Sequence, residues 1–292
     1  MHASELILDR FAGLSPTLQQ AAKFTLDHPN EVVIGSMRTL AQRAGAQPAS
    51  FVRLAQALGL AGWPELKQAF AAELGLDSQG YGQRAKKLAG RGRGRDAGGL
   101  LSEMFAVQRR NLDATEAHCA ASLSAAAKVL KRASAVHVAG FRASFTIASS
   151  LFYGYRLFRH SVHLVDGLGG GLEMQLRSVQ PRDAVVVTSF APYSREALIV
   201  AQAARAAGAQ LVALTDSSAA PIALGADATI QFAVDSPSFF PSVAAGVAAV
   251  EALLEVLVAE AGGDVAERIS RSEQQLFESG AYLRPPARRA AG

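Results

Sequence analysis

The chain has 292 residues, enough for about two domains, and half of them are hydrophobic, so a sizeable core can form. Its formal net charge is a modest +4, and its single cysteine, Cys119, excludes an internal disulfide and fits a reducing compartment. The N-terminus lacks a basic region followed by an apolar one, and the long apolar stretch 243–259 contains Glu251 and Glu255. We therefore predict a cytoplasmic protein with no signal peptide and no membrane span.

Residues 1–77 carry helical patterns throughout, and two short ones surround a tight turn within residues 36–63. Apolar residues recur at helical spacing before Gly45, and a second helix follows Pro48, whose fixed φ suits a first helical position. This is the helix-turn-helix pattern, whose second helix enters the DNA major groove. Two amphipathic helices joined by a glycine also occur in folds that do not bind DNA.

The second helix of this pair is predicted to turn its polar side chains away from the core. Phe51, Leu54 and Leu58 form its apolar stripe, which leaves the residues opposite them to contact base edges or phosphates. We expect Ser50 and Arg53 in particular to face DNA. The predicted DNA-binding residues are Arg43, Gln47, Ser50, Arg53, Gln56 and Lys67.

Residues 77–99 are rich in glycine and basic residues, a composition that favours a linker. The basic cluster from Arg84 to Arg95 contains the run RGRGR, which resembles an arm that enters the DNA minor groove, although a solvated linker is the alternative interpretation. Helical patterns resume at 100–115 and 123–132. We predict a DNA-binding domain at 1–77, a linker with a connecting helix at 78–121, an α/β domain at 122–262 and a C-terminal tail at 263–292.

From residue 135 onward, short β-branched runs alternate with helical stretches. Five runs are predicted to be strands: VHVAG, VHLVD, DAVVVTSF, QLVALTD and ATIQFAV. Such an alternation predicts a parallel sheet covered on both faces, and right-handed crossovers give a five-stranded, three-layer αβα domain. We expect a ligand to bind beyond the carboxyl ends of the strands, near the switch in strand order.

Two polar turns follow the first and third predicted strands and lead into helices. Helix N-termini with free N–H groups favour anions, and one arginine adds positive charge. We predict that Gly140, Arg142, Ser144, Ser189 and Ser194 surround one crevice that suits a phosphate or a carboxylate. The alternative is that Ser144 and Ser194 only cap their helices.

The sequence carries no strong catalytic signal. The GxGxxG pattern is absent after the first strand, and no metal-ligand spacing joins the histidines and the cysteine, so we expect no cofactor and no metal. His137 and His163 are expected to be packed core groups. Glu173 would be the best-placed general base of an isomerase, but a solvent-facing position in the first turn of its helix is the favoured interpretation.

Motifs in both halves together resemble the RpiR family of bacterial transcription regulators, which join a helix-turn-helix domain to a SIS (sugar isomerase) domain. The resemblance rests on LAQRAG, SFVRL and LGLAGWPELK in the first half, and on GFRAS, DAVVVTSFAPYSRE and AQLVALTDSSAAPIA in the second. It implies a homodimer or tetramer on a near-palindromic DNA operator, controlled by a phosphosugar or related metabolite. Ser50 and Arg53 match the Thr and Arg of the family's recognition helix.

In the SIS domain, Ser144 matches the serine of the family's GxGxS turn, and Ser189 and Ser194 match the first Ser and the Thr of SxSGxT. Two departures weaken this phosphate cradle: Arg142 replaces the second glycine of GxGxS, and Ala191-Pro192 replaces the central Ser-Gly. An inward-facing Arg142 would restore affinity through a charge-assisted contact, so we expect a sugar acid or an unusual phosphate as the effector.

The leading hypothesis is therefore a transcription regulator of carbohydrate metabolism that is not an enzyme. One alternative is a sugar-phosphate isomerase with a helical N-terminal extension. Another is a small-molecule binding module whose helical domain contacts protein.

Overall fold

The computed structural model describes residues 3–73, 80–92 and 97–283. The helices in these ranges are α1 (Ala3–Arg10), α2 (Pro16–Asp27), α3 (Pro29–Ile34), α4 (Met37–Arg43), α5 (Pro48–Ala57), α6 (Trp63–Glu73), α7 (Tyr81–Gly92), α8 (Ala97–Arg132), α9 (Ser144–Arg156), α10 (Leu172–Arg177), α11 (Arg195–Ala206), α12 (Ala244–Ala259) and α13 (Val265–Glu278). The strands are β1 (Val136–Gly140), β2 (Val162–Val165), β3 (Ala184–Thr188), β4 (Gln210–Thr215) and β5 (Ala228–Gln231).

The first six helices pack around one buried core. Phe51 lies at its centre, with its ring edge-on to Phe24 at 6.4 Å and to Trp63 at 5.3 Å between centroids. Leu54 and Phe70 are fully buried beside it. The inward stripe predicted on the second helix of the helix-turn-helix is therefore confirmed, and it joins α5 to the other helices.

The turn between α4 and α5 follows from its residues. The Ser36 hydroxyl caps α4 by accepting a hydrogen bond from the Thr39 N–H at 3.2 Å. Gly45 has a φ of +61°, a left-handed conformation that glycine adopts without strain, and Pro48 is the first residue of α5. These residues end one helix and start the next within a few residues, as the helix-turn-helix pattern predicts.

The segment predicted to be a linker contains a helix. One face of α7 docks on the second half of the molecule, where the Tyr81 and Phe240 rings lie 5.1 Å apart and Leu88 lies near Met104 and Pro237. Tyr81 and Leu88 are seven residues apart and lie on one face of the helix, where they pack against the second half. The basic composition of the segment did not indicate this packing. Arg93 and Arg95 lie outside the described residues, as do most of the RGRGR run and the end of the tail beyond residue 283.

A single helix, α8, spans both helical patterns predicted around residues 100–132. The stretch between those patterns continues as helix because buried residues on it pack against the sheet. Cys119 is one of them, and its Sγ donates to the Gln231 carbonyl at 3.2 Å. Thr115, the last residue of the first pattern, is also buried, and its hydroxyl accepts from the Ala233 N–H at 2.9 Å.

The second half is a three-layer domain with a five-stranded, all-parallel sheet in the order β2-β1-β3-β4-β5. Helices α8, α9 and α12 contribute to the core on one face, where Leu130, Leu151 and Leu253 are buried. Helix α11 contributes Val200 and Ala204 to the core on the other face. The predicted fold is confirmed. The chain leaves β1 toward β2 and returns to β3 on the opposite side, so the switch in strand order lies between β1 and β3.

The predicted C-terminal tail also contains a helix, α13, which packs on the sheet domain. Its Ser272 hydroxyl donates to the Leu157 carbonyl at 2.6 Å, and the Tyr282 and Tyr153 hydroxyls beyond it lie 2.8 Å apart. Ile269 packs against the core. None of the helices in the described part of the chain is both long enough and apolar enough to cross a membrane.

Candidate functional site

The exposed face of α5 carries three of the polar residues predicted to contact DNA. Gln47 precedes the first turn, and Arg53 and Gln56 follow along the same helix, all exposed to solvent. Arg53 has no ion-pair partner within the described residues. This face can therefore offer a guanidinium and two amides to a groove of DNA, since these groups bind base edges and phosphates.

Ser50 does not lie on this face, so the expectation that it faces DNA is wrong. Its side chain is only 5% exposed. Ser50 comes directly before Phe51 and lies one turn before Leu54, at the border of the apolar stripe, where the neighbouring helices cover it. Because Ser50 and Leu54 are four residues apart, helical spacing places them on neighbouring positions of one face, and what packs alongside decides that Ser50 is buried.

Two further predicted DNA-binding residues make contacts inside the helical domain. Arg43 forms an ion pair with Glu31, and its guanidinium lies 6.0 Å from the centre of the Phe24 ring. Lys67 donates from Nζ to the Gly35 carbonyl at 3.2 Å. Both side chains thus brace neighbouring helices, and a DNA contact from either remains a prediction.

The turn after β1 is shaped by close packing against α9. A Cβ added to Gly140 would lie 2.6 Å from both the Ser144 carbonyl oxygen and the Ala148 Cβ, so only glycine fits there. Arg142 follows with a φ of +55°, a left-handed conformation that is uncommon for a residue with a side chain. Ser144 is buried as the first residue of α9, and Ala143 occupies the cap position, so the capping interpretation of Ser144 is wrong.

Arg142 does not point inward. Its side chain is 75% exposed, and its guanidinium donates to the Glu196 carboxylate at 3.0 Å. Glu196 lies in the first turn of α11, where the helix dipole favours a negative charge. This carboxylate offsets the positive charge that was expected to attract an anion, and no pattern in the sequence predicted that it pairs with Arg142.

The turn after β3 is held by its own hydrogen bonds. The Ser189 hydroxyl accepts from the Ser194 N–H at 3.2 Å, and the Ser194 hydroxyl caps α11 by accepting from the Ala197 N–H at 3.2 Å. Ser194 therefore caps α11, and a contact between Ser194 and a ligand remains a prediction. Both hydroxyl oxygens act as acceptors here, which leaves their O–H groups available as donors to a ligand.

Asp216, which follows β4, fixes the middle of that turn. Its carboxylate accepts from the Ala191 N–H at 3.1 Å and from the Tyr193 hydroxyl at 2.9 Å. Burial, together with the charge of Asp216, raises the pKa of Tyr193 far above its usual value, so Tyr193 stays a neutral donor. The signal for Asp216 in the sequence was its position at the carboxyl end of the predicted strand QLVALTD.

The two turns meet at the switch in strand order. Gly140 is the register partner of Thr188, and the Arg142–Glu196 pair links the turn after β1 to the helix after β3. The Thr188 hydroxyl is buried and has no hydrogen-bond partner among the described residues, so one polar group at this edge stays unsatisfied. The arrangement can supply hydroxyl donors and one guanidinium to a polar ligand.

The candidate acid–base residues do not converge on these turns. Glu173 is exposed in the first turn of α10, which agrees with the solvent-facing interpretation. His137 is buried near the start of β1, at the other end of the strand, where it lies 3.1 Å from an Asp183 carboxylate oxygen. His163 was expected to be packed in the core but is exposed, because β2 is an edge strand. Across residues 3–73, 80–92 and 97–283, no cluster of three or more His, Cys, Asp or Glu side chains is placed to hold a metal ion.

The chain is similar in both halves to known protein families. Residues 1–76 match the family model described as "Helix-turn-helix domain, rpiR family", and residues 129–256 match the model of the SIS domain. An uncharacterized HTH-type transcriptional regulator of Caldanaerobacter subterraneus subsp. tengcongensis is 25% identical over 227 residues, which cover 76% of this chain and 77% of the relative.

Two solved structures share the fold. The sugar isomerase domain of an RpiR transcription factor from Sphaerobacter thermophilus is 24% identical with a TM-score of 0.57, and the match covers 61% of this chain and 98% of that one. The Vibrio vulnificus NanR protein, solved in complex with ManNAc-6P, is 16% identical with a TM-score of 0.52. That match covers 95% of this chain and 99% of NanR.

Proposed function

We propose that this chain, which joins a helix-turn-helix domain of the rpiR family to a SIS domain, is a transcription regulator whose affinity for operator DNA is controlled by a small anionic carbohydrate derivative. The observation that carries the proposal is the presence, in one chain, of an exposed polar face on α5 and of polar turns at the switch point of a parallel sheet. The first suits a DNA groove and the second a small ligand.

The proposed DNA-binding surface is centred on Arg53, with Gln47 and Gln56 on either side of it along α5. Arg53 is exposed and has no ion-pair partner in the described part of the chain, so its guanidinium can meet a guanine edge or a phosphate without breaking an internal contact. Arg43 and Lys67 would contribute only after giving up contacts that brace the domain. We infer a homodimer or tetramer, because a two-fold arrangement of such domains fits a near-palindromic operator.

The proposed effector site comprises the turns after β1 and β3, with Gly140, Arg142, Ser144, Ser189 and Ser194. Adjacent strand ends bring these turns together, and NanR, which shares the fold, was solved with a phosphosugar. Arg142 is paired with Glu196, so the pair must open before the guanidinium can bind a phosphate or a carboxylate. If the pair stays closed, it can bind the hydroxyl groups of the ligand instead. The effector acts by binding DNA-competent and DNA-incompetent states with different affinities.

We propose no catalytic role for this SIS domain. Aldose–ketose isomerisation needs an acid–base pair near the substrate, whereas Glu173 is exposed and His137 lies at the other end of β1. A relative whose match covers 76% of this chain is named as a transcriptional regulator, which supports the same conclusion.

The test begins with selection of genomic DNA fragments on the full-length protein. We expect near-palindromic fragments to be enriched with the wild-type chain and not with Arg53→Ala. The selected fragment is then titrated with the protein in the presence of a panel of sugar phosphates and sugar acids, and each compound is also assayed for turnover. A coupling of roughly 1–3 kcal/mol would change operator affinity about 5- to 150-fold. Equal enrichment by both proteins, or turnover of a sugar phosphate, would contradict the proposal.

A further inference from the structure

A large cavity lies between the connecting helices and the sheet, beside the proposed effector turns. Its volume is about 710 Å³, within the range of roughly 300–1,000 Å³ typical of small-molecule sites. Residues that follow β4 and β5, among them Asp216 and Asp235, form its floor, and helices α7 and α8 form its walls. Ala191 also lines it, so the cavity borders the turn after β3 from the β4 side.

Three arginines from the connecting helices line this cavity: Arg84 and Arg91 on α7, and Arg110 on α8. Tyr81, Arg84, Leu88 and Arg91 are spaced i, i+3, i+7 and i+10, so they share the face of α7 that docks on the sheet domain. Two arginines of the segment that was predicted to be a linker thus line the cavity, whereas Lys86 is exposed on another face of α7.

Some of the charged side chains that line the cavity have a partner within the described residues, and others do not. Arg91 lies 3.5 Å from a Glu103 carboxylate oxygen, and the Asp216 carboxylate is engaged by Ala191 and Tyr193. The guanidinium groups of Arg84 and Arg110 have no ion-pair or hydrogen-bond partner within the described residues. Two guanidiniums facing one polar cavity repel each other less when an anion lies between them, and each can donate two parallel hydrogen bonds to a phosphate or carboxylate.

The floor of the cavity can hold the hydroxyl groups of a ligand. The Gln231 amide donates from Nε2 to the Asp216 carbonyl at 3.1 Å, which leaves its Oε1 as an acceptor. The Ser236 hydroxyl accepts from the Ser238 N–H at 3.1 Å and keeps its own proton to donate. The Tyr81 and Phe232 rings supply apolar surface in the same cavity.

We propose that this cavity is a second binding site, in which Arg84 and Arg110 hold the anionic group of a sugar phosphate or sugar acid. Because Arg84 belongs to α7 and Arg110 to α8, the ligand ties the segment after the helix-turn-helix domain to the SIS domain. The inference takes its ligand class from the proposed function. Binding at Arg84 and Arg110 does not depend on whether the chain recognises an operator.

The experiment measures binding of glucose 6-phosphate, gluconate and inorganic phosphate to the full-length protein by titration calorimetry without DNA. We expect at least one probe to bind, and Arg84→Gln or Arg110→Gln to weaken it by about tenfold or more, the effect of losing a hydrogen bond to a charged group. The matched controls are Lys86→Gln on α7 and Arg109→Gln on α8, which remove the same charge from exposed positions outside the cavity. They should change affinity by less than about twofold, the scale of a screened surface charge.

A second measurement locates the ligand. Hydrogen exchange of the α7 backbone amides should slow when the probe binds to the wild-type chain, and should not slow in Arg84→Gln. The proposal is overturned if no probe binds, if the control variants weaken binding as much as the cavity variants do, or if only Arg142→Gln weakens it. In the last case the proposed effector turns would still stand, and a loss of operator selection with intact probe binding would contradict only the proposed function.

Discussion

The exposed face of α5 and the turns after β1 and β3 were both predicted to bind ligands, yet they differ in how their polar groups are used. Arg53 and Gln56 extend into solvent from a helix whose other side is packed. The polar groups of the turns bind one another: Ser189 bonds to Ser194, Ser194 caps α11, and Arg142 pairs with Glu196. The periodicity of a helix thus leaves the polar side chains of one face free for a partner. The polar groups of a turn are already partly used in hydrogen bonds within the turn, and only the remaining donors and acceptors can bind a ligand.

The largest effect is expected where the turn after β1 is most tightly packed. Gly140→Ala places a Cβ 2.6 Å from the Ser144 carbonyl oxygen and the Ala148 Cβ, so α9 must move away from β1. We expect the free energy of unfolding to fall by about 1–3 kcal/mol, as in other overpacked cores. Denaturant unfolding measures it. The matched control is Gly82→Ala on α7, where an added Cβ meets nothing within 4 Å and a gain of about 1 kcal/mol is expected.

Two arginines of the helical domain allow a comparison between a side chain without an ion-pair partner in the described residues and a side chain that makes an internal ion pair. Arg53→Ala should weaken operator binding by roughly 1–3 kcal/mol without changing stability, because Arg53 has no ion-pair partner within the described residues. Arg43→Ala should instead lower the stability of the helical domain by about 1 kcal/mol, since it loses the Glu31 pair and the Phe24 contact. Electrophoretic mobility shifts and thermal unfolding measure the two quantities. Equal losses of operator affinity would mean that Arg43 exchanges its internal contact for DNA.

Two capping serines test whether Ser194 does more than start a helix. Ser36 caps α4 and Ser194 caps α11, and each accepts one backbone N–H at 3.2 Å. Ser36→Ala and Ser194→Ala should each cost about 1 kcal/mol of stability. If Ser194 also binds the effector, only Ser194→Ala reduces the effector's influence on operator affinity. A full effector response in that variant would limit Ser194 to its structural role.

The smallest effect on stability is expected at the Arg142–Glu196 pair. Arg142 is 75% exposed, so breaking the pair with Glu196→Gln should cost less than about 1 kcal/mol. The same change removes a negative charge from the proposed effector site and should therefore increase affinity for an anion. Calorimetry with inorganic phosphate, with Glu278→Gln on α13 as the control, distinguishes a local effect from a change in net charge. Unaltered phosphate affinity in Glu196→Gln would place the anion elsewhere.

The misplaced residues share a physical cause. Ser50 lies at the border of a helical stripe, Arg142 takes a left-handed backbone conformation, and His163 lies on an edge strand. In each case the orientation or exposure of the side chain depends on which element packs beside it, which local pattern does not specify. The helix α7 was missed for the same reason, because its stability comes from packing Tyr81 and Leu88 on residues that are distant in sequence.

The sequence by itself determined the helix-turn-helix pair, the five parallel strands and the three layers, because hydrophobic periodicity and turn residues act locally and the rules of parallel sheets constrain the rest. It also determined that the polar turns after β1 and β3 lie together, since parallel strands end at one edge. Only the tertiary structure decided which polar side chains stay available. Ion pairs, caps and burial are set by residues from different elements, such as Glu196 beside Arg142 and Arg84 facing the same cavity as Arg110.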